Sequence, residues 1–101
     1  MTDTEKKFSE EWAKKAEQAQ GMDGYNSIKL IKDIQQYGGV SVARRTLSRN
    51  GCSDNFEILK KNKRLDLSME ALIVRGEFGT LFEDDEVNQC FALLCECDYF
   101  V

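Results

Sequence analysis

The sequence predicts an all-α protein, a compact bundle of about six short helices. Three observations carry this. Apolar residues recur at helical spacing along most of the chain. The helical stretches carry their own start or stop chemistry, a capping side chain before or a glycine after. No segment alternates apolar and polar residues over strand length, and with no proline no helix is broken from within.

The first stretch, "TDTEKKFSEEWAKKAEQAQG", begins with a capping-box pattern from Thr2 to Glu5. Phe8, Trp12, Ala16 and Ala19 fall on one stripe. Glu10–Lys14 and Glu11–Lys15 are acid-before-base pairs one turn apart, the favourable order. Gly21 and Gly24 bracket a break. The apolar face is thin, which fits either a loosely packed helix or a docking arm. The chain therefore divides into residues 1–24, an N-terminal amphipathic helix and linker, and residues 25–101, a helical core domain.

In "YNSIKLIKDIQQYGG", Asn26 or Ser27 serves as cap, and Ile28, Leu30, Ile31, Ile34 and Tyr37 form a broad apolar face. Gly38–Gly39 supplies a left-handed stop. A third helix, "VSVARRTLSRNG", turns Val40, Ala43 and Leu47 inward and Arg45 and Arg49 outward, and Gly51 ends it. "SDNFEILKKNK" is a short fourth helix with an Asp54–Glu57 box and Phe56, Ile58 and Leu59 inside. In "LSMEALIV", Ser68 caps and Glu70 sits in the anion-favouring first turn. The run Leu72–Val74 would also suit a strand, but the cap selects a helix. The last helix follows a Thr80–Glu83 box, with Val87, Cys90, Phe91, Leu94 and Cys95 as its inner stripe. Glu83, Asp84, Asp85 and Glu86 load its first turn, where the helix dipole favours anions.

A chain of 101 residues, 42% apolar with ten aromatics, makes one globular domain able to bury a core unaided. No apolar run approaches the ~20 residues of a membrane span. The opening segment has no apolar stretch of the signal-peptide kind, so a cytoplasmic protein is expected, with Cys52, Cys90, Cys95 and Cys97 as reduced thiols. Histidine is absent, which removes the usual general base, pH switch and metal ligand together.

The net charge of −4 is unevenly spread. Residues 44–64 hold seven cations against Asp54 and Glu57, while residues 77–98 hold seven anions and no cation.

Several motifs resemble a small helical family of bacterial and phage-type sequences. They are Gly38-Gly39-Val40 with Ala43 and Leu47; Ser53-Asp54 with Phe56 and Leu59; Arg64-Leu65-Asp66-Leu67-Ser68 with Glu70 and Leu72; and Leu81-Phe82 before an acidic helix. The similarity covers residues 25–97, and "RLDLSMEALIV" is its most specific part. It implies a helical fold and no activity. The first helix lies outside it, and the cysteines of the last helix depart from its pattern.

Several chemistries come into question for these residues. A helix-turn-helix would use Arg44, Arg45, Arg49, Lys60, Lys61, Lys63 and Arg64 on nucleic acid. However, Gln35 stands where helices of that motif cross at a small residue, and Arg45 where the motif needs an apolar one. A four-cysteine metal site is disfavoured, since Cys95 and Cys97 on one helix point in different directions. A cysteine nucleophile lacks its histidine, the consecutive acids fan out around their helix, and no glycine loop has lysine and Ser/Thr in phosphate-binding register. No catalytic residue, metal or cofactor is therefore expected.

The remaining expectation is a non-enzymatic protein–protein interaction module. Its candidate surface is Arg45, Arg49, Lys60, Lys61, Lys63 and Arg64, with Tyr99 and Phe100 of the aromatic tail docking on a partner or on a second copy of the chain. A phage-encoded inhibitor of a nuclease or of a bacterial defence complex, or a host accessory protein, would fit. Nucleic acid is the alternative partner, and a membrane is not one.

Overall fold

The computed structural model describes residues 3–52, 55–97 and 99. Within them six α-helices follow one another: α1 (Asp3–Gln18), α2 (Ser27–Tyr37), α3 (Gly39–Asn50), α4 (Phe56–Lys61), α5 (Met69–Ile73) and α6 (Asp84–Glu96). One-turn 3₁₀ segments, Leu65–Leu67 and Gly79–Leu81, precede α5 and α6. There is no strand among the described residues, and the all-α class is as the sequence predicts. The body measures 34 × 28 × 23 Å.

The stripe on α1 is thin but deeply used. Phe8, Trp12 and Ala16 are all buried, and α1 packs against α2, α3, α5 and the first 3₁₀ turn. It is a core helix, not an arm. Phe8 is the hub, its ring meeting Trp12, Phe78 and Phe82 at centroid distances of 5.9, 5.3 and 5.3 Å. The Ser9 hydroxyl one residue on accepts the Gly39 N–H at 2.8 Å and donates to the Glu5 carbonyl at 3.2 Å. A β-carbon on Gly39 would lie 2.9 Å from that hydroxyl and 3.0 Å from the Ser9 Cα. Glycine is thus what lets α1 cross the start of α3.

Gly38 alone joins α2 to α3. Its N–H donates to the Ile34 carbonyl at 2.9 Å, and its own carbonyl accepts from the Val42 N–H at 3.1 Å. The expected left-handed stop is replaced by φ 87°, ψ 142°, a region essentially reserved for glycine, and Gly39 already begins the next helix. The caps at Asn26, Ser68 and Gly51 are as read, whereas α4 has Asn55 at its N-cap with no side-chain cap bond. The Asn26 side chain accepts the Lys29 N–H at 3.1 Å. Ser68 accepts the Ala71 N–H at 3.0 Å and donates to the Leu65 carbonyl at 2.6 Å. Gly51 ends α3 in the left-handed conformation.

Several expectations need correction. The box that starts α6 is Glu83 with Glu86, not Thr80 with Glu83. Thr80 instead lies in the second 3₁₀ turn. Phe91, placed in the inner stripe, is 51% exposed, and Cys95 is exposed too. Among the larger packing partners of α6 only α5 stands out, so a narrow line through Cys90 and Leu94 suffices to bury its contact. On α2, Ile28 and Tyr37 are exposed, because its main neighbours, α1 and α3, cover one side only. Thr2 and Asp54, expected as caps, lie outside the described residues.

The core forms two clusters. The larger holds Phe8, Trp12, Ile34, Val42, Ala43, Leu47, Met69, Leu72, Ile73, Phe78, Phe82 and Cys90. The second gathers Ala19, Phe56, Leu59, Leu65, Leu67, Ala71 and Leu94 around α4 and the first 3₁₀ turn. Every residue of α5 is buried, Glu70 included.

Candidate functional site

Helical spacing builds a cleft between α2 and α3. At the α2 N-cap and along α2, Asn26, Lys29, Leu30 and Asp33 stand at i, i+3, i+4 and i+7. On α3, Val42, Arg45, Thr46 and Arg49 stand at the same intervals, and both sets line one cavity of about 280 Å³. Behind these rows lie the buried side chains of Trp12 from α1, Leu59 from α4, Leu67 from the first 3₁₀ turn and Met69 from α5. Tyr25 and Asn55 also line it. The charged rim is Lys29, Arg45 and Arg49 against Asp33 alone.

Of the predicted interaction residues, the fold brings Arg45 and Arg49 together at this rim, both exposed. The Arg45 guanidinium lies over the Tyr37 ring, 5.0 Å from its centroid. That stacking accounts for the half-exposed Tyr37 and holds Arg45 in place. Lys60 and Lys63 line a different, more open groove, with Leu65, Asp66, Cys97 and Tyr99. Lys61 projects beside Lys60 from the last turn of α4, and Lys63 holds the turn after it at φ 59°. Arg64 is turned to Asp66 in a two-armed ion pair at 3.1 and 3.2 Å. Phe100 lies outside the described residues. The predicted surface is therefore two patches rather than one.

The arginines separate the patches further. Arg44 pairs with Glu86 at 3.2 Å and reaches Glu83 at 3.9 Å. Arg75 pairs with Glu11 at 3.0 Å and with Glu77 at 2.5 Å. Arg64 has Asp66 at 3.1 Å. Among the described residues, only Arg45 and Arg49 of the five arginines lack a carboxylate partner, and both face the cleft.

Sequence reasoning missed Lys29, Asp33, Trp12 and Tyr25 as neighbours of the arginines. The signal that could have found Lys29 and Asp33 is the matched i, i+3, i+4, i+7 rows, in which Leu30 stands between Lys29 and Asp33 and Val42 precedes Arg45. It also missed the buried carboxylate of Glu70. Burial pushes the Tyr25 phenol up to about 12, and the charge of Glu70 adds to the shift. Burial likewise pushes the Cys90 thiol up to about 12, with Glu70 and Glu86 adding to it. Cys90 is thus an unreactive core thiol at neutral pH. Among the described residues no three Cys, Asp or Glu side chains converge as a metal would need.

Fold and site together define a compact all-α protein with a cation-rimmed cleft, in which no described helix is long and apolar enough to cross a membrane. Comparison with protein-family models, curated proteins and solved structures finds no match.

Proposed function

We propose that this chain works by binding another protein, as a non-enzymatic interaction module. The observation that carries this is the way the fold treats its charges. It neutralises Arg44, Arg64 and Arg75 internally and leaves Arg45 and Arg49 open at a concave site, Arg45 stacked on the exposed Tyr37 ring. Arginine and aromatic groups around a pocket are what protein interfaces favour at their centres. A non-enzymatic role is supported by the absence of histidine and by a core cysteine that stays protonated. An inhibitor or accessory protein of a phage or its bacterial host, acting by occlusion, would need no more than such a surface.

Nucleic acid is the competing partner, since Lys60, Lys61 and Lys63 form an exposed basic edge. The split of the basic residues into two patches disfavours it, because a phosphate backbone needs one continuous basic track. Titration with duplex and single-stranded DNA and RNA at physiological salt separates the two partners. The expected result is no complex tighter than the weak non-specific range, about 10⁻⁵ M. A sub-micromolar complex that weakens steeply with salt would overturn the proposal. A captured protein counts in its favour once the purified pair reassembles at fixed stoichiometry.

A further inference from the structure

We propose that the α2–α3 cleft receives an acidic residue of the partner protein together with a neighbouring apolar side chain. The carboxylate is held between Arg45 and Arg49, and the apolar group packs on Leu30 at the edge of the cleft. This rests on the protein-partner reading above and adds where the partner binds and by what chemistry.

Charge comes first. The rim carries three cations and one anion, in a protein whose overall charge has the opposite sign. Screening at physiological salt acts over roughly 8 Å, whereas the molecule is 34 Å long. The anions elsewhere on the chain are therefore largely screened from the cleft, and its local potential is positive. Both unpaired arginines present guanidinium forks, which match a carboxylate two-pronged. Arg45 is already stacked on Tyr37, so less side-chain freedom is lost when an acid arrives.

Size and lining then choose among anions. About 280 Å³ is at the lower end of ligand pockets, which run from roughly 300 Å³ upward. That suits one or two side chains better than a nucleotide. A line of phosphates would have to pass Asp33 at the same rim, whereas a single carboxylate can sit on the arginine side. Trp12, Val42, Leu59, Leu67 and Met69 reach the bottom of the cleft but are each nearly fully buried, so the partly exposed Leu30 is the apolar lining residue on which an aliphatic or aromatic group can pack. An Asp or Glu beside a large apolar residue meets all three conditions.

The test uses the full chain and a random dodecapeptide display library, followed by synthesis of the enriched peptides. Enriched sequences should place Asp or Glu next to Leu, Ile, Phe or Trp. Their binding should change the emission of Trp12, the single tryptophan, which lines the cleft. The Arg45→Glu/Arg49→Glu double variant should lose at least tenfold in affinity, and Arg45→Lys/Arg49→Lys should lose part of it by keeping charge without the fork. Lys60→Glu/Lys61→Glu should bind as the parent does. All four side chains are exposed, and a circular-dichroism melt checks that each variant keeps its fold. Enrichment of neutral or basic peptides, or no enrichment, overturns the inference. Acidic peptides weakened by Lys60→Glu/Lys61→Glu but not by the cleft variant also overturn it, while leaving the protein-partner reading standing. A tight, salt-steep complex with single-stranded DNA or RNA overturns both.

Discussion

Replacing Phe8 by alanine should be the most damaging single truncation of a side chain in this protein. The ring is fully buried and touches three other aromatic rings, 5.3 to 5.9 Å away. A buried aromatic side chain removes about 150–250 Å² from water. At ~25 cal/mol per Å² that burial is worth about 4–6 kcal/mol. Measured core truncations of phenylalanine cost about 3–5 kcal/mol, the spread reflecting how far the cavity collapses. Collapse is limited here, because Phe8 is held from several sides at once. A domain of this size has only ~5–15 kcal/mol in total. A loss of about 4 kcal/mol should therefore lower the melting temperature by about 15 °C or more. Urea denaturation followed in parallel by circular dichroism and by Trp12 fluorescence measures the effect. The internal control is Phe91→Ala, whose half-exposed ring should cost about 1 kcal/mol or less. A Phe8→Ala loss below 1 kcal/mol, or a Phe91→Ala loss exceeding it, would refute the assignment of α1 to the core.

Gly39→Ala should cost about 1–3 kcal/mol, because the new methyl meets the Ser9 backbone at 3.0 Å and backbone does not yield. Gly76→Ala, with open space around it, should change stability by about 0.5 kcal/mol or less in the same denaturation experiment. Ser68→Ala removes the cap of α5 and should cost about 1–2 kcal/mol, read from the urea midpoint at unchanged slope. Alkaline titration tests the buried thiol. Its folded pKa is raised from 9.0 to about 12, so between those values the unfolded chain gives up its proton and the folded one keeps it. Stability should accordingly fall as pH rises from about 9 to about 12. The fall should be shallower in Cys90→Ala, and equal slopes would show that Cys90 is not enclosed. A thiol reagent at neutral pH should modify Cys95 well before Cys90.

What the sequence made legible was mostly local. Asn26, Ser68 and Gly51 each satisfy helix-end groups within a few residues of themselves, so their roles could be read without the fold. The start of α6 shows the limit of such reading. Two overlapping box patterns, Thr80–Glu83 and Glu83–Glu86, compete for one helix start, and the 3₁₀ turn at Gly79–Leu81 decides for the second. Periodicity told which way a helix faces but not how wide a face its neighbours would cover. Hence α1, surrounded on several sides, buries nearly all of a sparse stripe, whereas α6 leaves Phe91 outside a rich one. The cleft was half legible. Arg45 and Arg49 were readable as an outward pair, but Lys29 and Trp12 reach them only through the packing of α1, α2 and α3.

The smallest α-helix joins the two clusters of the core. With five residues, α5 would scarcely persist as an isolated peptide. Yet Met69, Leu72 and Ile73 belong to one core cluster, Ala71 belongs to the other, and Val74 just beyond packs against both. The helix is a rivet through two plates. Neither cluster can open without withdrawing it, so the two halves are bound to unfold as one event instead of in sequence. The backbone amides slowest to exchange with heavy water should then lie in this five-residue segment, the reverse of the fraying expected of a short helix, and their exchange should report the global opening of the molecule.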